Sequence, residues 1–265
     1  MKSILLPLLL ALSAMGQDWQ MLNYYPGYSW SAAPSAGDDL STFDFPDAAA
    51  HSHYPAFLVT TQAMRLNLST TPLTLTFTLE ASLDTVFRFG GQGAWNTGSL
   101  PANARLFFSC ETGYDNNTPH PTNFWFYDPQ WAEISTNTGT VTLTAPMDPS
   151  QWSDAGGPGS TPNDDLVGSF WNACSNVVQM GLAFGGGSFF DTGIAVAAGS
   201  ATFHLRSFTI PPWLTISGTM LTVHGFSPSY EVQRSEDLQA WDHWTTTGPE
   251  LPCVIMPGFY RARIL

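Results

Sequence analysis

Side chains that could bind a sugar ring are concentrated in one short segment of the sequence. The segment Asn123–Asp128 reads NFWFYD, and in an extended strand alternate residues point to opposite faces. If the phenylalanines fill the interior, Trp125 and Tyr127 form a flat outward platform, with Trp131 in the following loop. Such rings offer a sugar an apolar face and a hydrogen-bonding rim. The alternative is that the same rings pack under a long loop.

A further tryptophan stands beside small polar residues in a predicted loop. Trp95 precedes the sequence NTG, where it would either contact a ligand or anchor the loop. We add it to the platform, for which a neutral polysaccharide is the favoured ligand. The predicted ligand-binding residues are therefore Trp125, Tyr127, Trp131 and Trp95.

The carboxylates show no spacing typical of a glycosidase. Hydrolysis of a glycosidic bond needs two carboxyl groups about 5 to 9 Å apart. A turn is predicted between Glu80 and Asp84, and a loop is predicted around Glu111 and Asp115. Because carboxylates from distant strands can also meet, a glycan-cleaving hydrolase or lyase stays open as a functional class.

Metal ligands are sparse in the sequence. Residues 115–118 (DNNT) and 163–165 (NDD) carry oxygen atoms of the kind that calcium prefers, but neither matches the EF-hand spacing, and Asx turns and helix capping explain both. His51 and His53 lack a nearby third ligand. We predict no metal-ligating residues, and a structural calcium ion is the one cofactor that the composition of these loops suggests.

Charge excludes several partners and reaction classes. The net charge is −13 at pH 7, whereas nucleic acid binding needs a basic patch and an anionic membrane surface repels an acidic protein. Lys2 is the only lysine of the sequence. Downstream of it, the chain lacks the amine that Schiff-base catalysis and Walker-type phosphate loops require.

The N-terminus has the pattern of a secretory signal peptide. Lys2 is followed by an apolar run from Ile4 to Leu12 and then by small residues. We expect residues 1–16 to be this signal, and the protein to be secreted or associated with the cell envelope. The apolar run is shorter than the roughly 20 residues that span a bilayer, so no transmembrane segment is expected after cleavage.

Three cysteines are an odd number for an oxidising compartment. Cys110 and Cys174 both fall inside the predicted large domain, whereas Cys253 lies near the C-terminus. We predict a disulfide between Cys110 and Cys174. The alternative is three unpaired cysteines that behave as small apolar residues.

The elements that must position these side chains are β-strands. In Thr71–Glu80, apolar residues alternate with threonines, which is typical of a strand with one buried face. Such strands, joined by turn-rich loops, predict an all-β fold, a jelly-roll-like antiparallel β-sandwich over residues 17–210. The other predicted strands are 56–62, 85–89, 104–110, 123–127, 140–145, 177–184 and 201–210.

One helix and two long loops complete the predicted large domain. Residues 163–165 are good caps for a helix N-terminus, and Phe170 and Cys174 continue its apolar spacing. We expect this helix to cover one open end of the sandwich. The turn-rich segments 23–55 and 154–162 are places where a binding edge could lie.

A small C-terminal β module is predicted for residues 211–265. Pro211 and Pro212 interrupt the chain directly after a strand. The remainder contains four or five predicted strands, at 213–216, 220–223, 230–235, near Trp244 and at 259–264. A unit of this size is marginal alone, so we expect it to pack on the large domain or on a partner.

The C-terminal module also resembles a known segment. Residues 230–241 follow the pattern Y-x-V-x-x-S-x-D-L-x-x-W, and residues 259–263 read FYRAR. This resembles a short module that ends many exported bacterial proteins, which implies an extracellular or cell-envelope setting. Residues 17–210 look like carbohydrate-binding jelly-roll domains in their strand and aromatic content.

Together these observations predict a secreted, non-catalytic protein that binds a neutral polysaccharide. A structural or adhesion-type envelope protein that binds other proteins is the alternative from a second class, since an acidic surface also serves solubility. A glycan-cleaving enzyme is the third.

Overall fold

The protein folds into antiparallel β-sheets, which confirms the predicted all-β class. In the computed structural model one α-helix, α1 (Asn163–Cys174), accompanies the strands of the described residues. The predicted signal peptide, His51, His53 and Trp95 lie outside the described residues. The structure describes residues 19–24, 27–49, 54–60, 72–90, 101–136, 139–155, 163–186, 192–209, 213–217, 220–224, 230–235, 239–240, 242–247, 252–254 and 259–264.

A large sheet forms one layer of the protein. Its eight strands are β1 (Trp19–Tyr24), β2 (Ser29–Ala33), β4 (Tyr54–Thr60), β7 (Asn103–Asp115), β8 (Thr118–Tyr127), β9 (Ala132–Glu133), β11 (Trp152–Ser153) and β12 (Gln179–Gly185). Their order is β11-β8-β7-β12-β4-β1-β2, and β9 pairs with the start of β7. Chain neighbours β7 and β8 form a long hairpin, whereas β12 reaches the middle of the sheet from a distant part of the sequence.

A small sheet forms the second layer, in the order β10-β5-β14-β3. Two further strands, β6 and β13, pair with each other. These six strands are β3 (Ser41–Asp44), β5 (Leu73–Ala81), β6 (Val86–Phe89), β10 (Val141–Ala145), β13 (Ile194–Ala198) and β14 (Ala201–Thr209).

The two sheets pack face to face and enclose the main core. Apolar side chains alternate along each strand, so that one set from each sheet points into the space between them. Helix α1 adds Phe170, which is fully buried. The structure is therefore an all-β sandwich, as predicted. Main-core residues include Leu58, Leu106, Phe108 and Leu182 from the large sheet and Leu75, Phe77, Leu143 and Phe203 from the small sheet.

The large sheet carries a second core on its outer face. Its residues alternate with those of the main core along the same strands, so the large sheet is apolar on both faces. All of these side chains are buried, with at most 4% of their surface exposed. The second core consists of Leu22, Ala56, Phe57, Val59, Phe107, Phe124, Phe126 and Ala183.

One free edge of the small sheet is occupied by a side chain. The amide of Gln130 donates from Nε2 to the carbonyl of Thr142 at 3.3 Å, and its Oε1 accepts the N–H of Thr144 at 2.9 Å. Both backbone groups belong to β10 and point away from β5. Gln130 therefore takes the place that a neighbouring strand would have.

The strand predictions agree well with the structure. All eight predicted strands of residues 17–210 are present, as is the predicted helix at residue 163. The sequence analysis missed β1, β2, β3 and β13, together with the two-residue strands β9 and β11. Two of these, β2 and β3, lie in the segment interpreted as turn-rich, and in all six alternation extends over only a few residues.

The C-terminal segment contains six strands in two three-stranded sheets. The orders are β15-β16-β19 and β18-β17-β20, so the described part of this segment has more strands than the four or five predicted. The strands are β15 (Trp213–Ser217), β16 (Met220–His224), β17 (Tyr230–Ser235), β18 (Asp242–Thr247), β19 (Pro252–Val254) and β20 (Phe259–Ile264). Within the part of the chain that the structure describes, no helix has the length and hydropathy needed to cross a bilayer.

Candidate functional site

The predicted platform is buried, so its role as an exposed surface is wrong. Trp125 and Tyr127 expose only 3% and 6% of their surface. Helix α1 covers Trp125, because the Phe170 ring lies 5.3 Å from that of Trp125 in an edge-to-face arrangement, and Tyr127 packs on Trp152 at 5.4 Å. Tyr127 donates its hydroxyl to Oε1 of Gln151 at 3.0 Å. Both faces of β8 are interior faces, and these two rings belong to the main core.

The other two predicted ligand-binding residues are Trp131 and Trp95. Trp131 is half exposed, at 50% of its surface, and directly follows Gln130 at the edge of the small sheet. Trp95 lies outside the described residues, so its role stays a prediction. Of the predicted set, Trp131 is the residue that the structure shows at the surface.

The two cysteines predicted to pair are free and buried in the structure, which contradicts the disulfide. Cys110 lies on the inner face of β7, with Sγ 3.8 Å from the carbonyl oxygen of Asn123. Burial, together with a smaller effect of the nearby Cys110, raises the pKa of the Cys174 thiol to about 12. Burial also raises the pKa of Cys110. Because disulfide formation proceeds through a thiolate, these surroundings disfavour it.

Neither acidic loop forms a cluster of metal-ligating carboxylates. Asn116 and Asn117 have φ of 47° and 67°, which is the backbone of a two-residue hairpin turn between β7 and β8. Residues 163–165 begin α1. Among the described residues, no group of three or more His, Cys, Asp or Glu side chains is arranged to hold a metal ion.

A strip of half-buried rings lies at the border of the second core. This aromatic strip consists of Tyr24, Tyr28, Trp30 and His120. The three aromatic residues pack against the second core. The rings of Tyr24 and Tyr28 are 4.8 Å apart, and His120 stacks on Tyr28 at 4.1 Å with 24° between their planes. The rings of Tyr24, Tyr28 and His120 therefore form a continuous surface, and the half-buried Trp30 extends the strip on the same face.

Local sequence explains why these rings share a face. Tyr28 and Trp30 alternate with Ser29 and Ser31 in β2, so both aromatic rings point the same way. The opposite edge comes from the β7–β8 hairpin, which places His120 beside the strip. Trp30 bridges the two elements by donating Nε1–H to the carbonyl of Pro119 at 2.9 Å.

Gly27 allows the hairpin and the start of β2 to approach closely, and Gly113 leaves room for His120 inside the hairpin. A Cβ on Gly27 would lie 2.8 Å from Oδ2 of Asp115, the oxygen that accepts the N–H of Tyr28 at 3.3 Å. A Cβ on Gly113 would lie 3.1 Å from Cε1 of His120. Larger side chains at either position would push the strip apart.

The polar atoms of the strip are hydrogen-bonding groups. Burial raises the pKa of Tyr28 well above its usual range, and the nearby Tyr24 and Asp115 add to the effect, so the phenol stays protonated at any ordinary pH. His120 Nδ1 lies 3.0 Å from the carbonyl oxygen of Pro121. A carbonyl can only accept, so Nδ1 carries a proton. The strip thus combines ring faces with hydrogen-bond donors.

A cluster of ionisable groups occupies the outer face of the small sheet. His204 donates Nδ1–H to Oδ2 of the buried Asp39 at 2.8 Å, and its Nε2 is 3.7 Å from Oε1 of the exposed Glu80. Arg206 contacts Oδ1 of Asp39. Burial acts to raise the pKa of Asp39, but the hydrogen bond from His204 and the charge of Arg206 outweigh it and hold that pKa below its usual value.

Sequence analysis identified neither group of residues. The pattern YSWS at residues 28–31 was the available signal for the strip, although it is short. His204 and Asp39 are far apart in the sequence, and only the pairing of β14 with β3 brings them together. No protein-family model, no curated protein and no solved structure matches this chain.

Proposed function

We propose that this is an exported, non-catalytic carbohydrate-binding protein that holds a neutral polysaccharide against the aromatic strip. The observation that carries the proposal is the group of half-buried rings on one face, formed by Tyr24, Tyr28, Trp30 and His120. Sugar rings stack on aromatic faces through their apolar C–H surface, while their hydroxyl groups bond to neutral donors and acceptors at the rim. Both kinds of contact are available at the strip.

The charge of the protein favours a neutral ligand over an acidic one. The net charge is −13. The Asp115 carboxylate also lies next to the strip, where it accepts the N–H of Tyr28. A uronate-rich polysaccharide would be repelled by both. Export is supported by the apolar N-terminal run and by the resemblance of the C-terminal module to exported proteins.

Affinity electrophoresis in gels that contain neutral polysaccharides tests the proposal. We expect Trp30→Ala and Tyr28→Ala to weaken retardation about tenfold, since stacking of one ring contributes roughly 1.4 kcal/mol. Trp131→Ala removes an exposed ring elsewhere on the sandwich, and weaker retardation of that variant alone would place the ligand at Trp131 instead of the strip.

Thermal unfolding of each variant shows whether the fold is retained, since Tyr28 and Trp30 also pack on the second core. The proposal fails if folded Trp30→Ala and Tyr28→Ala bind as the unmodified protein does. Release of reducing ends or of unsaturated products during incubation would show that the protein cleaves the polysaccharide and is not a non-catalytic binding protein.

A further inference from the structure

A rigid turn at one end of the sandwich displays an exposed leucine. The turn that joins β5 to β6 presents Leu83 with 96% of its surface exposed, and the neighbouring Val86 is 50% exposed. Apolar side chains are the costliest to leave in water. A single exposed leucine is ordinary on a protein surface, so its meaning depends on what lies beside it.

Hydrogen bonds lock this turn to the turn between β13 and β14. Ser82 N donates to the Ser200 carbonyl at 3.0 Å, Thr85 Oγ1 donates to the same carbonyl at 2.8 Å, and Ser200 N donates to Ser82 Oγ at 3.0 Å. Gly199, with φ of 76°, makes the close approach possible, because a Cβ there would lie 2.6 Å from Ser82 Oγ. Leu83 is therefore presented in a fixed position, and little entropy would be lost on binding.

An open groove of about 520 Å³ lies beside the same two turns. Residues 196–202 form one wall, and Asp44 and Asp47 lie on the other. The volume is within the roughly 300 to 1,000 Å³ of ligand sites. No Arg, Lys or His is among the described residues that line it.

The two carboxylates of the groove are held in place. Asp44 accepts a hydrogen bond from Thr202 Oγ1 at 2.6 Å, and Asp47 accepts one from the N–H of Ala49 at 2.8 Å. Both residues are exposed. Each carboxylate keeps further lone pairs for a ligand. The groove thus presents fixed negative charge to solvent, next to a fixed apolar side chain.

We propose that this end of the sandwich, the groove with Asp44 and Asp47 together with Leu83, is a docking site for a basic polypeptide segment that carries an apolar side chain. The carboxylates would receive its arginine or lysine side chains, and Leu83 would pack against its apolar residue. A neutral sugar does not suit this end, because the one ring that lines the groove, Phe45, is buried. The site is separate from the aromatic strip and does not depend on it.

The test uses a fluorescent peptide of sequence RLRGRLRG and the whole protein, with binding followed by anisotropy at low and at physiological salt. We expect Asp44→Asn combined with Asp47→Asn to weaken binding about tenfold and to reduce its salt dependence. Asparagine keeps the acceptor for Thr202 and Ala49, so the groove should remain folded. Leu83→Ser should weaken binding about threefold without changing the salt dependence.

Glu111→Gln combined with Asp242→Asn is the matched control, because it removes the same charge from exposed positions elsewhere. Equal weakening by the control and the groove variant would show general charge attraction and would overturn the proposal. Binding of an amino-sugar oligomer as tightly as the peptide would also overturn it, since the ligand would then be a cationic glycan. Weakening confined to the groove and Leu83 variants supports it.

Discussion

The two sheets of the sandwich share one core but have opposite outer faces. On the large sheet, Phe57, Phe107 and Phe126 point outward and are at most 2% exposed. On the small sheet, threonines of β5 and β10 point outward, and the pairs Thr76–Thr142 and Thr74–Thr144 bond to each other across strands at 2.9 and 3.3 Å. Alternation of residues is therefore the same in both sheets, but only in the small sheet does it separate buried from solvated side chains.

Charged residues also differ between the outer faces of the two sheets. On the outer face of the large sheet, Arg105 is only 8% exposed, lies over the Phe126 ring at 5.6 Å and pairs with Asp128 at 3.3 Å. On the small sheet, the Arg206 side chain is 41% exposed while it contacts Asp39. The comparison indicates that the large sheet has two interior faces and the small sheet has one.

The largest expected effect comes from truncating an outward ring of the large sheet. Phe107→Ala should lower the free energy of unfolding by about 3 to 5 kcal/mol, because it leaves a cavity in the second core. Thr76→Ala, at an outward position of the small sheet, should cost less than about 1 kcal/mol. Chemical denaturation of both variants measures the difference. Similar losses would contradict the distinction between the two outer faces.

A smaller effect is expected at the ionisable cluster of the small sheet. Asp39→Ala leaves His204 and Arg206 without their shared carboxylate, and should cost about 1 to 2 kcal/mol since both partners are partly in water. The folded pKa of Asp39 is lowered, so its contribution is present above the unfolded pKa of about 3.9 and is lost as pH falls through the folded value. Melting temperatures of the variant and the unmodified protein should therefore converge at acid pH.

Asp242→Ala is the control for this experiment, since that residue is exposed in the C-terminal module. It should leave the pH dependence of the melting temperature unchanged. A constant difference between Asp39→Ala and the unmodified protein down to strongly acid pH would show that Asp39 acts by packing instead of charge.

The smallest effect is expected at Trp131. Because this ring is half exposed, Trp131→Ala should change the free energy of unfolding by no more than about 0.5 kcal/mol. Trp125→Ala, the buried counterpart in β8, should cost about 3 to 5 kcal/mol. Fluorescence-monitored unfolding of both variants distinguishes a surface tryptophan from a core tryptophan.

Most of the fold was predictable from sequence, and the comparison of the sheets explains why the site was not. In β5 polar residues, mostly threonines, separate each apolar residue from the next, so the pattern predicts which face of the strand is exposed to solvent. In the NFWFY segment both alternating sets are apolar, and nothing local says that helix α1 covers Trp125. Trp30 and the preceding Tyr28 were missed because β2 has only five residues, and the ring that stacks on Tyr28, His120, comes from the β7–β8 hairpin.

Gln130 has a consequence for how this protein behaves among copies of itself. The exposed rim of a β-sheet is a template on which another chain can add a strand, and such additions begin domain swapping and fibril growth. A primary amide carries the same donor and acceptor as a peptide group, so at Thr142 and Thr144 it already satisfies the positions that an incoming chain would need. This single side chain therefore protects β10 against intermolecular ladder formation.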